Sequence, residues 1–379
     1  MAFSAQDYRA AVERLERTYR LEPVDHLFRR EFYIWQEALD KWQAEEGMPA
    51  GADHAELFNF DPSPMVRLVD LGWCEPPFIP AYEDEVVETT DEYEIVRDNA
   101  GRLVKFFKGR RHGFMPTYLQ HPVKNRRDWE NEVKPRLDPA DPRRFACLDT
   151  PQARETAALV RNGERLHDGG IIGGYMYLRA LFGPEDIMYA LYDDPRLVHD
   201  IMARWRDLMI AVLSRAQQKI GPLFQLFLAE DICYNHGPLI GPDMIREFLL
   251  PYYRELYQTL AGNQRRHLHF QVDTDGYMDP VIPLYREISV NVLSPFEVAA
   301  NCDVVRSARQ YPDLVLSGGI DKRALALGKA AIDRELERII PFFSERGGYI
   351  PTCDHGVPDN VRFDDYMHYR QRLCELDHR

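Results

Sequence analysis

The stretch RGGYIPTCDHGVPDNVRF (346–363) sets a thiol, a carboxylate and an imidazole side by side at Cys353, Asp354 and His355, between a short apolar run and a turn. Four other apolar runs end in ionisable groups. LFQLFLAED closes on Glu230 and Asp231, and HLHFQVDTDG closes on Asp273, Thr274, Asp275 and Gly276. VNVLSPFE closes on Glu297, and DLVLSGGID closes on Asp321, followed by Lys322 and Arg323. If these runs are parallel strands of one barrel, their C-terminal ends form a shared mouth, where such folds keep their active sites. Carboxylates gathered there repel one another unless they are protonated, paired with cations or bound to a metal. Lys322 and Arg323 are internal candidates for pairing. Each residue taken alone has a plainer reading: Asp321 as a helix N-cap, Cys353 as a small buried hydrophobe, His267 and His269 as hydrogen-bonded wall residues. The coincidence across five runs favours a polar pocket.

The runs are near-continuously apolar and alternate with amphipathic stretches such as PRLVHDIMARWRDLMIAVLSRAQQKI. That pattern predicts strands buried on both faces of a parallel sheet, with helices between them. The fold class expected is α/β, a (β/α)8 TIM barrel. No GxGxxG follows a first strand, which argues against a dinucleotide fold. Residues 1–150 are expected to form an N-terminal helical and β-hairpin extension, and residues 151–379 the bulk of the barrel, as one structural unit. Within the extension, the first 45 or so residues are spaced as helix up to Gly47-Met48-Pro49. EYEIVRDNAGRLVKFFKG (92–109) reads as a hairpin turning at Asp98-Asn99-Ala100-Gly101, and 115–144 as a Pro-rich, charged crossing arm.

With 47 basic against 61 acidic residues in 379, the formal charge is −14. No basic stripe with interleaved aromatics is present, so nucleic acid is not an expected partner. No apolar run reaches the length of a membrane span, and the charged N-terminus lacks the apolar core of a signal peptide. Six cysteines without a CxxC pair suit reduced thiols, and a cytoplasmic location is expected.

From about Ile171 to Tyr369 the chain resembles the uroporphyrinogen decarboxylase superfamily. The resemblance rests on HGPLIGPDMIREFLLPYYREL (236–256), SGGIDKRAL (317–325) and GGYIPTCDHGVPDNVRFDDYMHY (347–369). It implies a (β/α)8 barrel with an N-terminal extension, a site at the barrel mouth and a homodimer. True decarboxylases of this superfamily bind substrate carboxylates through an arginine motif. This chain has Arg29-Arg30 without that motif, while His355 resembles the family's late histidine.

The other branch, zinc-dependent methyltransferases linked to corrinoid proteins, implies metal ligands at Asp275, Glu297 and Cys353. The HxCG motif of that branch is here Asp273-Thr274-Asp275-Gly276. The leading expectation is methyl transfer from a small donor to a corrinoid carried by a partner protein. Asp231, Asp273 and His355 are then the candidate catalytic groups, with Tyr175, Tyr177, Tyr234, His269 and Tyr277 lining the pocket. The alternative is a metal-free decarboxylase of a carboxylated aromatic or tetrapyrrole-like substrate, in which Lys322 or Arg323 holds a carboxylate. A third reading is a barrel that binds a corrinoid or porphyrin without turnover.

Overall fold

The computed structural model describes residues 3–109 and 116–377. Its centre is a seven-stranded parallel sheet of β1 (Met65–Val66), β6 (Leu166–Ile172), β7 (Leu223–Ala229), β10 (His269–Asp273), β11 (Val292–Ser294), β12 (Val315–Ser317) and β13 (Tyr349–Ile350), in that spatial order. Neighbours beyond β1 are sequential in the sheet, the wrapped order of a TIM-barrel-like fold. The strands pair in parallel with one register irregularity, between His167 and Asp168, beyond which Asp168 lies opposite Gln225, and Gln271 lies opposite both Phe227 and Val292. β1 stands at one edge and pairs with Leu166 and His167. A strand of the central sheet therefore comes from within the first 150 residues, earlier than the expected boundary.

The outer face is sealed by helices. Helix Pro195–Ile220 presents Leu197, Ile201, Trp205, Leu208 and Val212 to the sheet, all buried, at the spacing of one helical stripe. The Trp205 indole N–H donates to the Ile172 carbonyl at the end of β6 (3.0 Å). The lower end of the barrel is closed by the first helix, Ala5–Tyr19. Its Ala11, Val12, Leu15 and Tyr19 pack on Leu166, Phe224, Val292, Val315 and Ile350 from the beginnings of the strands. Ser4 caps this helix reciprocally with Asp7.

The chain then leaves helical geometry, unlike the helical spacing expected to residue 45. Residues 28–34 run extended, and Ile34 bridges in parallel to Val357 beyond β13. Helical structure resumes at Gln36–Glu45. The hairpin expected at 92–109 is present as β3 (Tyr93–Arg97) and β4 (Leu103–Phe107), in a four-stranded antiparallel sheet with β2 (Glu85–Thr89) and β5 (Thr117–Gln120). The arm expected at 115–144 contains β5 and short helices from 126 to 137. Its first residue, 115, lies outside the described residues. A small antiparallel pair, β8 (Cys233–Tyr234) and β9 (Gly237–Pro238), stands beyond β7 on the rim. Among the described residues no helix is long and apolar enough to cross a membrane.

Trp205 is fully buried against β6, so Trp205→Ala is expected to cost about 3–5 kcal/mol of stability. Urea unfolding would read this as a lower midpoint at an unchanged slope.

Candidate functional site

The strand ends of the barrel meet an acidic cavity of about 620 Å³, within the range of small-molecule sites. β7 supplies Ala229, Glu230 and Asp231, β10 supplies Asp273 and Asp275, and the segment after β13 supplies His355. Phe32, Tyr33, Trp73, Cys74 and Met176 complete the wall.

Asp273 ends β10 with its side chain facing inward. It accepts the Ser294 hydroxyl (2.5 Å), which itself accepts from the Gln271 amide (2.8 Å). Burial pushes the Asp273 carboxyl up to about 6, beyond what the Ser294 bond and the Arg30 charge hold down. Asp231 turns out of β7 with φ at +44°, a left-handed conformation that a non-glycine residue occupies at a cost. Arg179 on helix Gly174–Phe182 holds it at 2.7 Å. Burial still raises the Asp231 carboxyl, with the Asp275 and Glu297 charges adding to it. His355 stands between Asp275 (Nε2 to Oδ2, 3.5 Å) and the Tyr33 hydroxyl (3.3 Å from Nδ1). The bond to Asp275 raises the His355 imidazole, outweighing partial burial. Glu230 is fully buried behind the wall. Its Oε1 accepts the hydroxyls of Tyr253 (2.5 Å) and Tyr285 (3.2 Å), and burial pushes its acidity to about 8.

The Cys353-Asp354-His355 trio separates in space, because the chain bends at Asp354 and His355 directly after Cys353 bridges to Ile320. His355 reaches the cavity. Asp354 accepts the backbone N–H groups of Val298 (2.9 Å) and Lys322 (3.2 Å), tying three rim loops together. Cys353 is fully buried, and burial beside Glu31 keeps its thiol well above the ordinary range. Glu297 accepts the Gly276 N–H (3.0 Å) and so braces the turn that carries Asp275.

Several expected site residues lie elsewhere. Tyr175 and Tyr177 are buried in the packed helix Gly174–Phe182, because that helix is apolar on nearly every side. His269 opens β10 at the opposite end of the strand from the mouth, edge-on to Tyr19 and tilted against Phe224, and burial drives its imidazole down to about 3. Arg323 pairs with Asp321, which caps the helix it precedes. Lys322 faces Asp354 at 3.6 Å. Tyr234 and Tyr277 are joined by a backbone bond on the rim (2.9 Å), and neither lines the cavity.

Asp275, Glu297 and Cys353 do not converge on one point. Cys353 lies in the core, and among the described residues no group of three or more His, Cys, Asp or Glu side chains could hold a metal ion. The donor set expected for zinc does not fit. The wall residues absent from the sequence reading, Phe32, Tyr33, Trp73 and Cys74, come from an extended segment without alternation and from the loop after a two-residue strand. The aromatic cluster REFYIW was the available signal for the first pair.

The sequence of residues 117–372, well over half of the chain, matches the uroporphyrinogen decarboxylase (URO-D) family. The chain belongs to the uroporphyrinogen decarboxylase family. The family's match ends just beyond the strand-end residues described above and includes every one of them from β6 onward. The fold is similar to that of a methyltransferase from Methanosarcina mazei, with TM-score 0.59, 14% identity, and coverage of 96% of this chain and 98% of that one. A putative vitamin-B12 independent methionine synthase from Listeria monocytogenes aligns at TM-score 0.32 and 15% identity, over 59% of this chain and 69% of its own. Comparison with curated protein sequences gives no match.

Two outcomes test this geometry. In native protein, Cys353 is expected to resist iodoacetamide while exposed Cys74 labels slowly, its thiol being raised to about 11. Peptide mass mapping reads both, and labelling of Cys353 at the rate of Cys74 would put its thiol in the cavity. The raised His355 stabilises the fold fully below its unfolded value of about 6.5, and that contribution is lost as pH rises through the folded value. Asp275→Asn is expected to move the His355 titration downward, followed by the imidazole NMR shift.

Proposed function

We propose that this member of the uroporphyrinogen decarboxylase family is a carboxy-lyase that works by proton transfer at the barrel mouth. The observation that supports this most is Asp273: an enclosed carboxyl with acidity near 6, facing a cavity shared with the His355–Asp275 pair. Groups that donate protons near neutral pH are what protonation at carbon requires. In the reaction, the carbon–carbon bond to a substrate carboxylate breaks and its electron pair stays on the ring or chain carbon. Carbon dioxide leaves, and a proton from Asp273 or His355 replaces it. Carboxylates at the mouth disfavour a bound substrate carboxylate, and that penalty vanishes as neutral carbon dioxide forms. Arg179 holds Asp231 in place and favours its charged form against burial.

Transfer of a methyl group from a small donor is a second reading. What supports it is the similarity to the Methanosarcina methyltransferase over nearly all of both chains. The same acids would protonate an oxygen from which the methyl group departs, and a corrinoid on a partner protein would have to reach this mouth.

Headspace mass spectrometry on a panel of aromatic mono- and dicarboxylic acids tests the proposal by the carbon dioxide released. Asp273→Asn is expected to lower the rate about 10²–10⁴-fold with the fold retained. Because the protonated form donates, the wild-type rate is expected to fall as pH rises through about 6. Methanol or a methylated acceptor in place of carbon dioxide would overturn this reading in favour of the second.

A further inference from the structure

A second cavity, of about 630 Å³, runs along helix Phe363–Asp377 and shares no lining residue with the one at the mouth. Met367, Gln371 and Cys374 form one wall, recurring at the three- and four-residue spacing of a single helix face. Leu57 and Phe58, from the N-terminal third of the chain, form the other. Asn59 joins the two walls. Its backbone is left-handed (φ +53°), a conformation asparagine tolerates, and its side-chain amide donates to the Cys374 sulfur (3.4 Å).

Arg370 lies in the floor of this cavity and is only 2% exposed. Its Nε donates to the Phe58 carbonyl (3.0 Å) and its Nη1 to the Arg30 carbonyl (3.3 Å), which fixes the guanidinium against the N-terminal segment. Nη2 is buried and has no hydrogen-bond partner among the described residues. Glu31, whose charge Arg370 feels, accepts from the N–H groups of Phe32 and Cys353 and from the Tyr366 hydroxyl, and not from Arg370. A buried charged donor without an acceptor is costly, and a ligand that supplies one relieves the cost.

The other charges on the wall sort in the same sense. Lys329, which opens helix Lys329–Arg346, is exposed and has no ion-pair partner among the described residues. The acids are engaged: Glu375 accepts from Gln371 (2.9 Å) and Arg372 (3.0 Å), and Asp364 faces Arg362 (4.0 Å). An unmet guanidinium nitrogen and an unpaired ammonium thus border one apolar wall, which suits a carboxylate carried on a short apolar body.

We propose that this cavity is a second ligand site, for a small organic monocarboxylate. Arg370 Nη2 and Lys329 take the carboxylate, and Leu57, Phe58 and Met367 take the apolar body. The site stands whether the mouth decarboxylates or transfers a methyl group.

Cys374, in the cavity wall, reports on occupancy in the full chain. Octanoate is the probe and octanamide its uncharged control, with iodoacetamide modification of Cys374 read by peptide mass mapping. Octanoate is expected to slow that modification saturably, and octanamide to need about tenfold higher concentration for the same protection. Lys329→Gln, which removes the ammonium, and Gln371→Glu, which adds a repelling charge, both alter exposed residues and are each expected to bring octanoate level with octanamide or below it. A Cys374 that fails to label in the free protein, equal protection by the two probes, or an octanoate preference that survives both variants would overturn the site. Protection of Cys74 without protection of Cys374 would place the acid at the mouth and overturn it equally.

Discussion

The site depends on one buried carboxylate. Glu31 accepts the backbone N–H of Cys353 through Oε1 (2.8 Å) and the Tyr366 hydroxyl through Oε2 (3.3 Å), beside the buried Arg370. These contacts bind three remote parts of the chain: the extended N-terminal segment, the strand end after β13 and the C-terminal helix Phe363–Asp377. Burial raises the Glu31 carboxyl, so the pairing must offset a real desolvation cost. What it secures is position. Phe32 and Tyr33 follow at once and are laid over the mouth, where Tyr33 meets His355. A carboxylate outside the cavity therefore sets the orientation of the imidazole inside it.

The same economy is seen on the rim. Asp354 collects backbone donors from the loops after β11 and β12, while Thr274 accepts the N–H groups of Ile232 (3.0 Å) and Cys233 (3.3 Å) after β7. Side chains at strand ends thus divide into those that hold loops and those that face the cavity. Glu297, through the Gly276 N–H, belongs to the first class, although its charge is felt by Asp231 and His355.

Much of this was legible in the sequence. Near-continuous apolar runs marked the parallel strands from β6 onward, and their polar ends marked Asp231, Asp273, Asp275 and His355, because strand direction alone carries strand ends to one face. Direction within a strand end is a finer matter. Cys353 and His355 are two residues apart, yet the chain bends at Asp354 and His355, so one thiol enters the core and one imidazole the mouth. Tyr175 and Tyr177 mislead because tertiary packing, not residue type, decides whether a tyrosine meets solvent. β1 was hidden by its brevity, since two residues carry no periodicity, and Trp73 and Cys74 were hidden with it.

The helix Ala5–Tyr19 across the base of the barrel has a kinetic meaning. Among the described residues the base is stoppered by packed apolar side chains, while Tyr33 and Trp73 at the mouth are exposed. A molecule that enters past Trp73 therefore leaves past it, and the next one waits until it has gone. Such a site empties in the reverse order in which it fills, and the slower of the two passages limits how fast its contents exchange.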